Sequence, residues 1–248
     1  MRKIIFWLCS VLLLFGFYSC STVKEVAGVE AGKQVSGKFE KTLTINVDYQ
    51  YLIYFPKDYN TTDKKWPLIL FLHGSGERGT DINLVKRNGP PKLVSEGKEF
   101  PFIILSPQCP KNISWDNTIL MALLNDIISK YKVNENRIYL TGLSSGGSAT
   151  WSLAIEYPEK FAAIVPISAS GEPEDVCALK DVPVWVFHGE KDDVVPIKED
   201  SDMVDALRQC GGNVRFTKYP DVGHWAWVDA YNNPELYEWM LKFSKSDK

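Results

Sequence analysis

A serine flanked by glycines is the first group in this chain that could do covalent chemistry. The run 142–146 reads GLSSG and places Ser144 at the centre of a G-x-S-x-G pattern, after an apolar run and before a helical one. A serine hydroxyl attacks a carbonyl only when it is exposed and a base accepts its proton. A sharp strand-to-helix turn exposes the serine hydroxyl, and glycines are needed there because a Cβ would collide with the neighbouring backbone. We therefore predict that Ser144 is a nucleophile.

Only three side chains are available as a histidine base: His73, His188 and His224. His224 follows the last apolar run, and Asp192 follows the run before it. The chain order is nucleophile, acid, base, with each group placed after a strand. We predict Asp192 as the acid and His224 as the base. Asp193, the next residue, leaves a second choice of acid open.

A second glycine-rich loop, starting at His73, is expected to stabilise the oxyanion that forms when a carbonyl is attacked. The amide of Ser145, which follows the nucleophile, supplies one donor. We assign the other donor to Ser75, with Gly76 as the competing choice. His73 is predicted to brace this loop, and His188 to brace the acid turn in the same way.

Aromatic and charged side chains near these loops are candidates for binding a substrate. Trp115 and Trp225 are predicted substrate-binding residues, because an indole ring stacks on sugar or phenolic rings. The alternative for these residues, as for Trp227, is packing in the core. Glu77 and Arg78 either bind a polar substrate group or pair with each other.

The elements that must position these residues alternate between strands and helices. Continuous apolar runs predict strands buried on both faces, at 68–72, 102–105, 138–140, 162–165, 184–187 and 214–216. Segments 43–47 and 49–55 predict an antiparallel hairpin before them. Helices are predicted at 118–131, 145–156, 197–208 and 234–243. The fold class is therefore α/β, a mostly parallel doubly wound sheet with an antiparallel N-terminal hairpin and no sizeable lid.

In helix 118–131 we predict the buried face from helical spacing and the N-cap from residue type. The predicted N-cap is Asp116 or Asn117. The predicted face consists of Ile119, Ala122, Leu123, Ile127 and Tyr131.

Several stretches together resemble a known family. They are LHGSGERGTD, SPQCP followed by Trp115, GLSSGGSATWSLAIEYPEKFAAIVPISA, VFHGEKDDVVP and the Gly-His pair at 223–224. They look like the α/β-hydrolase esterases of the dienelactone-hydrolase, prolyl-oligopeptidase-like and feruloyl-type group, over about residues 42–243. The resemblance implies Ser144, Asp192 and His224 as the catalytic residues. It also implies a serine carboxylic-ester hydrolase acting through an acyl-enzyme, with no metal or organic cofactor.

The N-terminus has the composition of an export signal. Arg2 and Lys3 precede an apolar stretch too short to span a membrane, which predicts a signal peptide at 1–19. The small residue Ser19 followed by Cys20 resembles the lipobox of bacterial lipoproteins. This pattern predicts that Cys20 is lipidated. An ordinary cleaved signal or an uncleaved anchor remains open. Residues 20–38 are predicted to be a tether and 39–248 the catalytic domain, held at the cell envelope, on its periplasmic or surface side, by lipid alone.

Charge and cysteine content exclude several classes of protein. After the predicted signal peptide the chain has 26 basic and 31 acidic residues, and the basic residues form no continuous run. Nucleic acid is therefore not an expected partner. Cys109, Cys177 and Cys210 have no metal-ligand spacing, and one disulfide among them is possible. A metal site built from the three histidines lacks supporting carboxylate or cysteine spacing.

The expected substrates are small or polysaccharide-linked acyl esters, of the acetyl or feruloyl type. Two alternatives stay open. One is a serine peptidase of prolyl-oligopeptidase type, and the other is a non-catalytic glycan-binding lipoprotein.

Overall fold

The computed structural model describes residues 46–245, and before them only Lys38, Glu40, Lys41 and Thr44. The chain divides into two compact units, Met1–Ile45 and Asn46–Lys248. In the first unit, Lys38 and Glu40 form an exposed ion pair of 2.8 Å. The predicted signal peptide and Cys20 lie outside the described residues, as does nearly all of the predicted tether.

A seven-stranded sheet forms the centre of this unit, in the order β1-β3-β2-β4-β5-β6-β7. Every neighbouring pair is parallel except β1 with β3. The strands are β1 Tyr51–Tyr54, β2 Trp66–Leu72, β3 Ile103–Pro107, β4 Val133–Leu143, β5 Ala163–Ile167, β6 Val184–Gly189 and β7 Val214–Tyr219. The six predicted apolar runs correspond to β2 through β7, so the predicted α/β class is confirmed.

Helices cover both faces of the sheet. They are α1 Gly89–Ser95, α2 Asn117–Lys130, α3 Ser145–Glu156, α4 Ile197–Gln209, α5 Trp227–Asn232 and α6 Pro234–Leu241. On one face α2, α3 and α4 contribute Leu124, Trp151 and Met203 to a buried cluster. On the other, α5 and α6 contribute Tyr231 and Met240. Each such side chain, fully buried, contributes about 1.5–3 kcal/mol to folding, which fixes the sheet between its two helical layers.

The predicted N-terminal hairpin is wrong in its pairing. An antiparallel strand does lie at this edge, but β1 pairs with β3, with Tyr51 opposite Pro107 and Tyr54 opposite Ile104. The described residues of the other predicted strand, Thr44, Asn46 and Val47, are not in a strand. The edge of β3 would otherwise expose a row of unpaired backbone groups, and β1 covers it.

The predicted face of α2 is right only in part. Its buried residues are Leu120, Met121, Leu124 and Ile127, whereas Ala122 is exposed. Ile127 is buried as predicted, and Leu123 and Tyr131 are partly buried against the same core cluster. Of the two candidate N-caps, Asp116 is the cap, because its side chain accepts a hydrogen bond from the Ile119 amide at 3.0 Å.

Between β5 and β6 the only helix within this described connection is a 3-10 helix, Pro173–Leu179. It is joined to the end of α4 by a disulfide between Cys177 and Cys210, with Cα atoms 5.5 Å apart. The bridge that the sequence left unassigned is therefore this one, and Cys109 is free and buried. No inserted helical lid lies in this connection, as predicted. None of the helices among the described residues is long and apolar enough to cross a membrane.

Candidate active site

The turn from β4 into α3 holds Ser144 in a strained conformation. Its backbone has φ 52° and ψ −122°, a positive φ that side-chain-bearing residues rarely adopt. The turn is also tightly packed. A Cβ on Gly142 would lie 2.2 Å from the carbonyl oxygen of Gly146, and one on Gly146 would lie 2.0 Å from that of Leu72. Both glycines of the pattern are therefore required by backbone contacts, and the turn lifts the Ser144 hydroxyl out of the chain.

Ser144, His224 and Asp192 form a continuous hydrogen-bonded series. The Ser144 Oγ lies 2.9 Å from His224 Nε2. On the other side of the ring, His224 Nδ1 lies 2.8 Å from Asp192 Oδ2. Because a carboxylate only accepts, Nδ1 carries the proton, and Nε2 is free to accept the serine proton. The structure thus brings the three predicted side chains together in the geometry of a nucleophile, its base and an orienting acid.

Asp192 is well suited to remain ionised in this series. Its Oδ1 accepts hydrogen bonds from the amides of Val194 and Val195, both at 2.9 Å. Burial by itself would raise the pKa of Asp192, but the hydrogen bonds from His224 and the two amides outweigh it and lower that pKa. Asp193, the alternative acid, is exposed. The geometry therefore favours Asp192.

The predicted oxyanion loop lies directly against the nucleophile. A Cβ on Gly74 would lie 3.5 Å from the Cβ of Ser144. Ser75 is the first residue of the 3-10 helix Ser75–Glu77, and Ser145 is the first residue of α3. Amides in the first turn of a helix have no acceptor within the helix, so both are available to a ligand. Gly76 lies in the same turn as Ser75, and the choice between their amides stays a prediction.

His73 braces this loop from inside the protein, as predicted. The buried ring accepts a hydrogen bond from the Cys109 amide at Nε2, over 2.9 Å, so its proton is on Nδ1. Nδ1 then donates to the Gly74 carbonyl at 2.6 Å. Burial lowers the pKa of His73 to about 4, which keeps the ring neutral. His73 thereby ties the loop to the segment that follows β3.

Glu77 and Arg78 point to different surroundings. The buried Glu77 carboxylate accepts a hydrogen bond from Asn88 Nδ2 at 2.9 Å, and in residues 46–245 no ion pair joins it to Arg78. Asn88 in turn accepts from the Trp227 indole at 3.1 Å, and the Trp227 ring meets His224 edge-on at 5.0 Å. The sequence analysis missed Asn88, which connects the oxyanion loop to the wall beside His224.

A cavity of about 320 Å³ opens beside the nucleophile. Six of its eight lining residues carry hydroxyl, amide or guanidinium side chains, although apolar atoms also line it; the eight are Arg78, Ser114, Trp115, Asn117, Ser145, Ser148, Ala149 and Ser152. Arg78 therefore lies where it could contact a bound substrate. The ion pair with Glu77, the alternative for Arg78, is not formed.

The three tryptophans near the site differ in their surroundings. Trp115 lines the cavity, and its indole also donates to the His73 carbonyl at 3.2 Å, so it is part of the wall. Trp225 is 63% exposed beside His224, with its ring 5.1 Å from that of Trp227. Trp227 is buried and packs in the core. An exposed indole next to the reacting groups is available to a substrate ring, whereas Trp227 is not.

The described residues contain no cluster of three or more His, Cys, Asp or Glu side chains with the geometry of a metal site. The three histidines instead have different hydrogen-bond partners.

Known proteins share this fold and parts of this sequence. Residues 108–233, about half of the chain, match the model of a family described as Phospholipase/Carboxylesterase. A bifunctional acetylxylan esterase/xylanase, XynS20E of Neocallimastix patriciarum, is 26% identical over 136 residues, covering 52% of this chain and 20% of that protein. A protein of Arabidopsis thaliana described as "Probable carboxylesterase SOBER1-like" is 26% identical over 202 residues, 68% of this chain and 74% of its own.

Among solved structures, a thermostable esterase is 37% identical and superposes with a TM-score of 0.71. The superposition covers 80% of this chain and 60% of the esterase. This chain therefore spans one fifth of the length of the first curated relative and three fifths of that of the solved esterase.

Proposed function

Because the chain belongs to the phospholipase/carboxylesterase family, we propose that it is a serine carboxylic-ester hydrolase that acts through an acyl-enzyme. The observation that carries this proposal is the series from Ser144 Oγ to His224 Nε2 at 2.9 Å and from His224 Nδ1 to Asp192 Oδ2 at 2.8 Å. These contacts are the ones that general-base activation of a serine requires.

In the first half of the reaction His224 accepts the Ser144 proton as the hydroxyl oxygen attacks the ester carbonyl. The Asp192 carboxylate stabilises the imidazolium that results. The bond to the alcohol then breaks, and His224 returns its proton to the leaving oxygen. In the second half a water molecule attacks the acyl-enzyme by the same proton route and releases the acid.

Negative charge develops on the carbonyl oxygen in both halves. We propose that the amides of Ser75 and Ser145 hold this oxyanion. Ser145 begins α3, so the partial positive charge of the helix N-terminus adds to its amide. Removing a single donor of this kind costs about 2.7–4 kcal/mol of transition-state stabilisation.

The proposed substrates are small or polysaccharide-linked esters of acetyl or feruloyl type. The side chains of Asn117, Ser148 and Ser152 in the cavity wall can hydrogen-bond the hydroxyl groups of a sugar alcohol. The exposed Trp225 ring, and Trp115 in the wall, suit a sugar or phenolic ring. An acetylxylan esterase among the relatives points in the same direction.

We also propose that the protein is exported and held at the cell envelope by lipid on Cys20. The disulfide between Cys177 and Cys210 supports this location, because such bonds persist in oxidising compartments.

Hydrolysis of p-nitrophenyl acetate by the purified protein tests the reaction. We expect Ser144→Ala to abolish turnover, and the neighbouring Ser145→Ala to keep most of it. The Ser145 hydroxyl is buried and has no hydrogen-bond partner among the described residues, whereas its amide survives the change. A panel of acetyl, butyryl and feruloyl esters with an acyl-peptide then ranks substrates. A wild type as inert as Ser144→Ala across this panel would refute the proposal.

Labelling with a fluorophosphonate probe distinguishes a catalytic protein from a binding lipoprotein. An activated serine forms a covalent adduct, and a glycan-binding protein without one does not. We expect the adduct on Ser144 in the wild type and none in Ser144→Ala.

A further inference from the structure

His188 lies at the end of β6, fully buried, and takes no part in the series from Ser144 to Asp192. Both of its ring nitrogens face oxygen atoms that can only accept. Nδ1 lies 2.8 Å from Asp200 Oδ2. Nε2 lies 2.8 Å from the Val195 carbonyl and 3.1 Å from Asp192 Oδ2. Two nitrogens that both donate must both carry a proton, so the ring is an imidazolium.

Asp200 is bound in a way that favours an ionised carboxylate. It is fully buried in α4, and its Oδ1 accepts from the Trp151 indole at 2.9 Å. Its Oδ2 accepts from the Ala169 amide at 3.0 Å as well as from His188. The Trp151 indole and the Ala169 amide each donate to one oxygen of Asp200, an arrangement that favours an ionised carboxylate and a proton on His188 Nδ1. His188 is thus a buried cation between two carboxylates.

One oxygen of Asp192 lies close to a ring nitrogen of both His188 and His224. Its Oδ2 is 2.8 Å from His224 Nδ1 and 3.1 Å from His188 Nε2. The negative charge that would attract a proton to His224 is therefore partly offset by the positive charge of His188. In a buried environment such an offset is weakly screened and changes proton binding at the neighbouring ring.

The charged groups around His188 are few. Burial alone would lower the pKa of His188, but the hydrogen bond to Asp200, the charges of Asp200 and Asp192 and the Val195 carbonyl together raise it. On β7, Lys218 is in register with His188, but it is exposed and its Nζ lies 4.9 Å from the Phe216 ring centre. Around His224, the charged partner is Asp192, which is hydrogen-bonded to the ring. The His224 ring also hydrogen-bonds Ser144 and meets the Trp227 ring.

We propose that His188 is a positioning residue of the active site. As a buried imidazolium it fixes Asp192 Oδ2 toward His224 and offsets part of the negative charge that His224 meets there. Its effect on turnover rests on the proposed esterase function, whereas its effect on His224 does not. Asp200 contributes by accepting a hydrogen bond from His188 Nδ1, which stabilises the protonated ring.

Nuclear magnetic resonance of the imidazole groups tests this directly, since the chain has only 3 histidines and their signals can be assigned by single substitutions. In the wild type we expect two N–H groups on His188 throughout pH 5–8. In His188→Gln we expect the pKa of His224 to rise by about one unit, because a nearby positive charge is lost. The acidic limb of the kcat/KM profile should move by the same amount. Lys218→Gln, which removes an exposed positive charge at the paired position, should move neither.

A second variant covers the case in which His188→Gln does not fold. Asp200→Asn leaves His188 with one carboxylate, so its ring should lose a proton within the same pH range. A single N–H on His188 in the wild type at pH 7 would overturn the proposal, as would an unchanged His224 pKa in folded His188→Gln. Failure of the esterase proposal looks different, because the wild type would then hydrolyse no ester while the histidine titrations stayed as expected.

Discussion

At the scale of single residues, the acid of the site is defined by contact. Asp192 and Asp193 are adjacent, yet only Asp192 is bonded to His224. We expect Asp192→Asn to lower kcat for an ester by about 10⁴-fold, because an amide that donates to His224 holds the ring in the wrong tautomer. Asp193→Asn, which changes an exposed side chain of the same type, should keep near-wild-type kcat. Initial rates of p-nitrophenyl acetate hydrolysis at pH 7 compare the two. The reverse ranking would make Asp193 the acid.

His73 gives the protein a dependence on pH that is separate from catalysis. Its pKa is about 4 in the folded protein, below the value of an unfolded histidine, so folding favours the neutral ring. The stability it supplies is complete above about pH 6.5 and is lost as the pH falls toward 4. The difference corresponds to roughly 3 kcal/mol.

Urea unfolding of wild type and His73→Gln between pH 7 and 4 checks this prediction. The free energy of unfolding should fall more steeply for the wild type, because the two proteins share every other titrating group. Parallel curves would show that His73 is not held neutral.

Sequence reasoning also missed Asp200, and a signal for it exists. Asp200, Met203, Val204 and Leu207 are the buried positions of α4, at the spacing of one helix face. An acid in an apolar stripe needs a buried partner. The sequence does not say which partner, because His188 is on a strand and meets Asp200 only after the chain has folded.

At the scale of elements, strands were easier to predict than their partners. The apolar runs that became β2 to β6 are continuous because both of their faces are buried, and their short length favours a strand over a buried helix. The partner of β1 was not predictable in this way. Pairing with β3, more than fifty residues away, depends on which sheet edge remains uncovered. The short α1 and α5 were missed because six or seven residues show too little periodicity.

The disulfide links two elements, the 3-10 helix Pro173–Leu179 and the end of α4. It closes a loop with a sequence separation of 33, for which loop-closure entropy predicts about 3–4 kcal/mol of stabilisation. We expect the double variant of Cys177→Ser and Cys210→Ser to have a free energy of unfolding lower by that amount. Its unfolding midpoint in urea should fall accordingly. Ser144 labelling should persist, because neither cysteine contacts the site.

Reduction provides the matched control. A reductant should bring the wild type to the stability of the double variant and leave the variant unchanged. If the reductant lowered both equally, the stabilisation would come from elsewhere, with Cys109 the remaining thiol in residues 46–245.

At the scale of the whole molecule, the site exists because parallel strands end at one edge. Ser144 follows β4, Asp192 follows β6 and His224 follows β7, so residues 80 and 32 positions apart meet within hydrogen-bond distance. Their order along the chain was readable from the sequence. Their distances were not, because these depend on strand register and on the close packing of Gly142 and Gly146 against neighbouring backbone.

This arrangement predicts where the chain can be shortened. The unit Asn46–Lys248 contains every strand and helix described above and all the proposed catalytic residues. We expect a fragment that begins at residue 46 to unfold cooperatively and to label at Ser144 as fast as the full chain. A fragment that begins at residue 56 lacks β1 and leaves the edge of β3 uncovered. It should aggregate or melt more than about 5 °C lower, since uncovered strand edges pair with other chains and lost burial lowers Tm. Calorimetry and probe labelling of both fragments decide this, and equal Tm values would show that β1 is dispensable to the sheet.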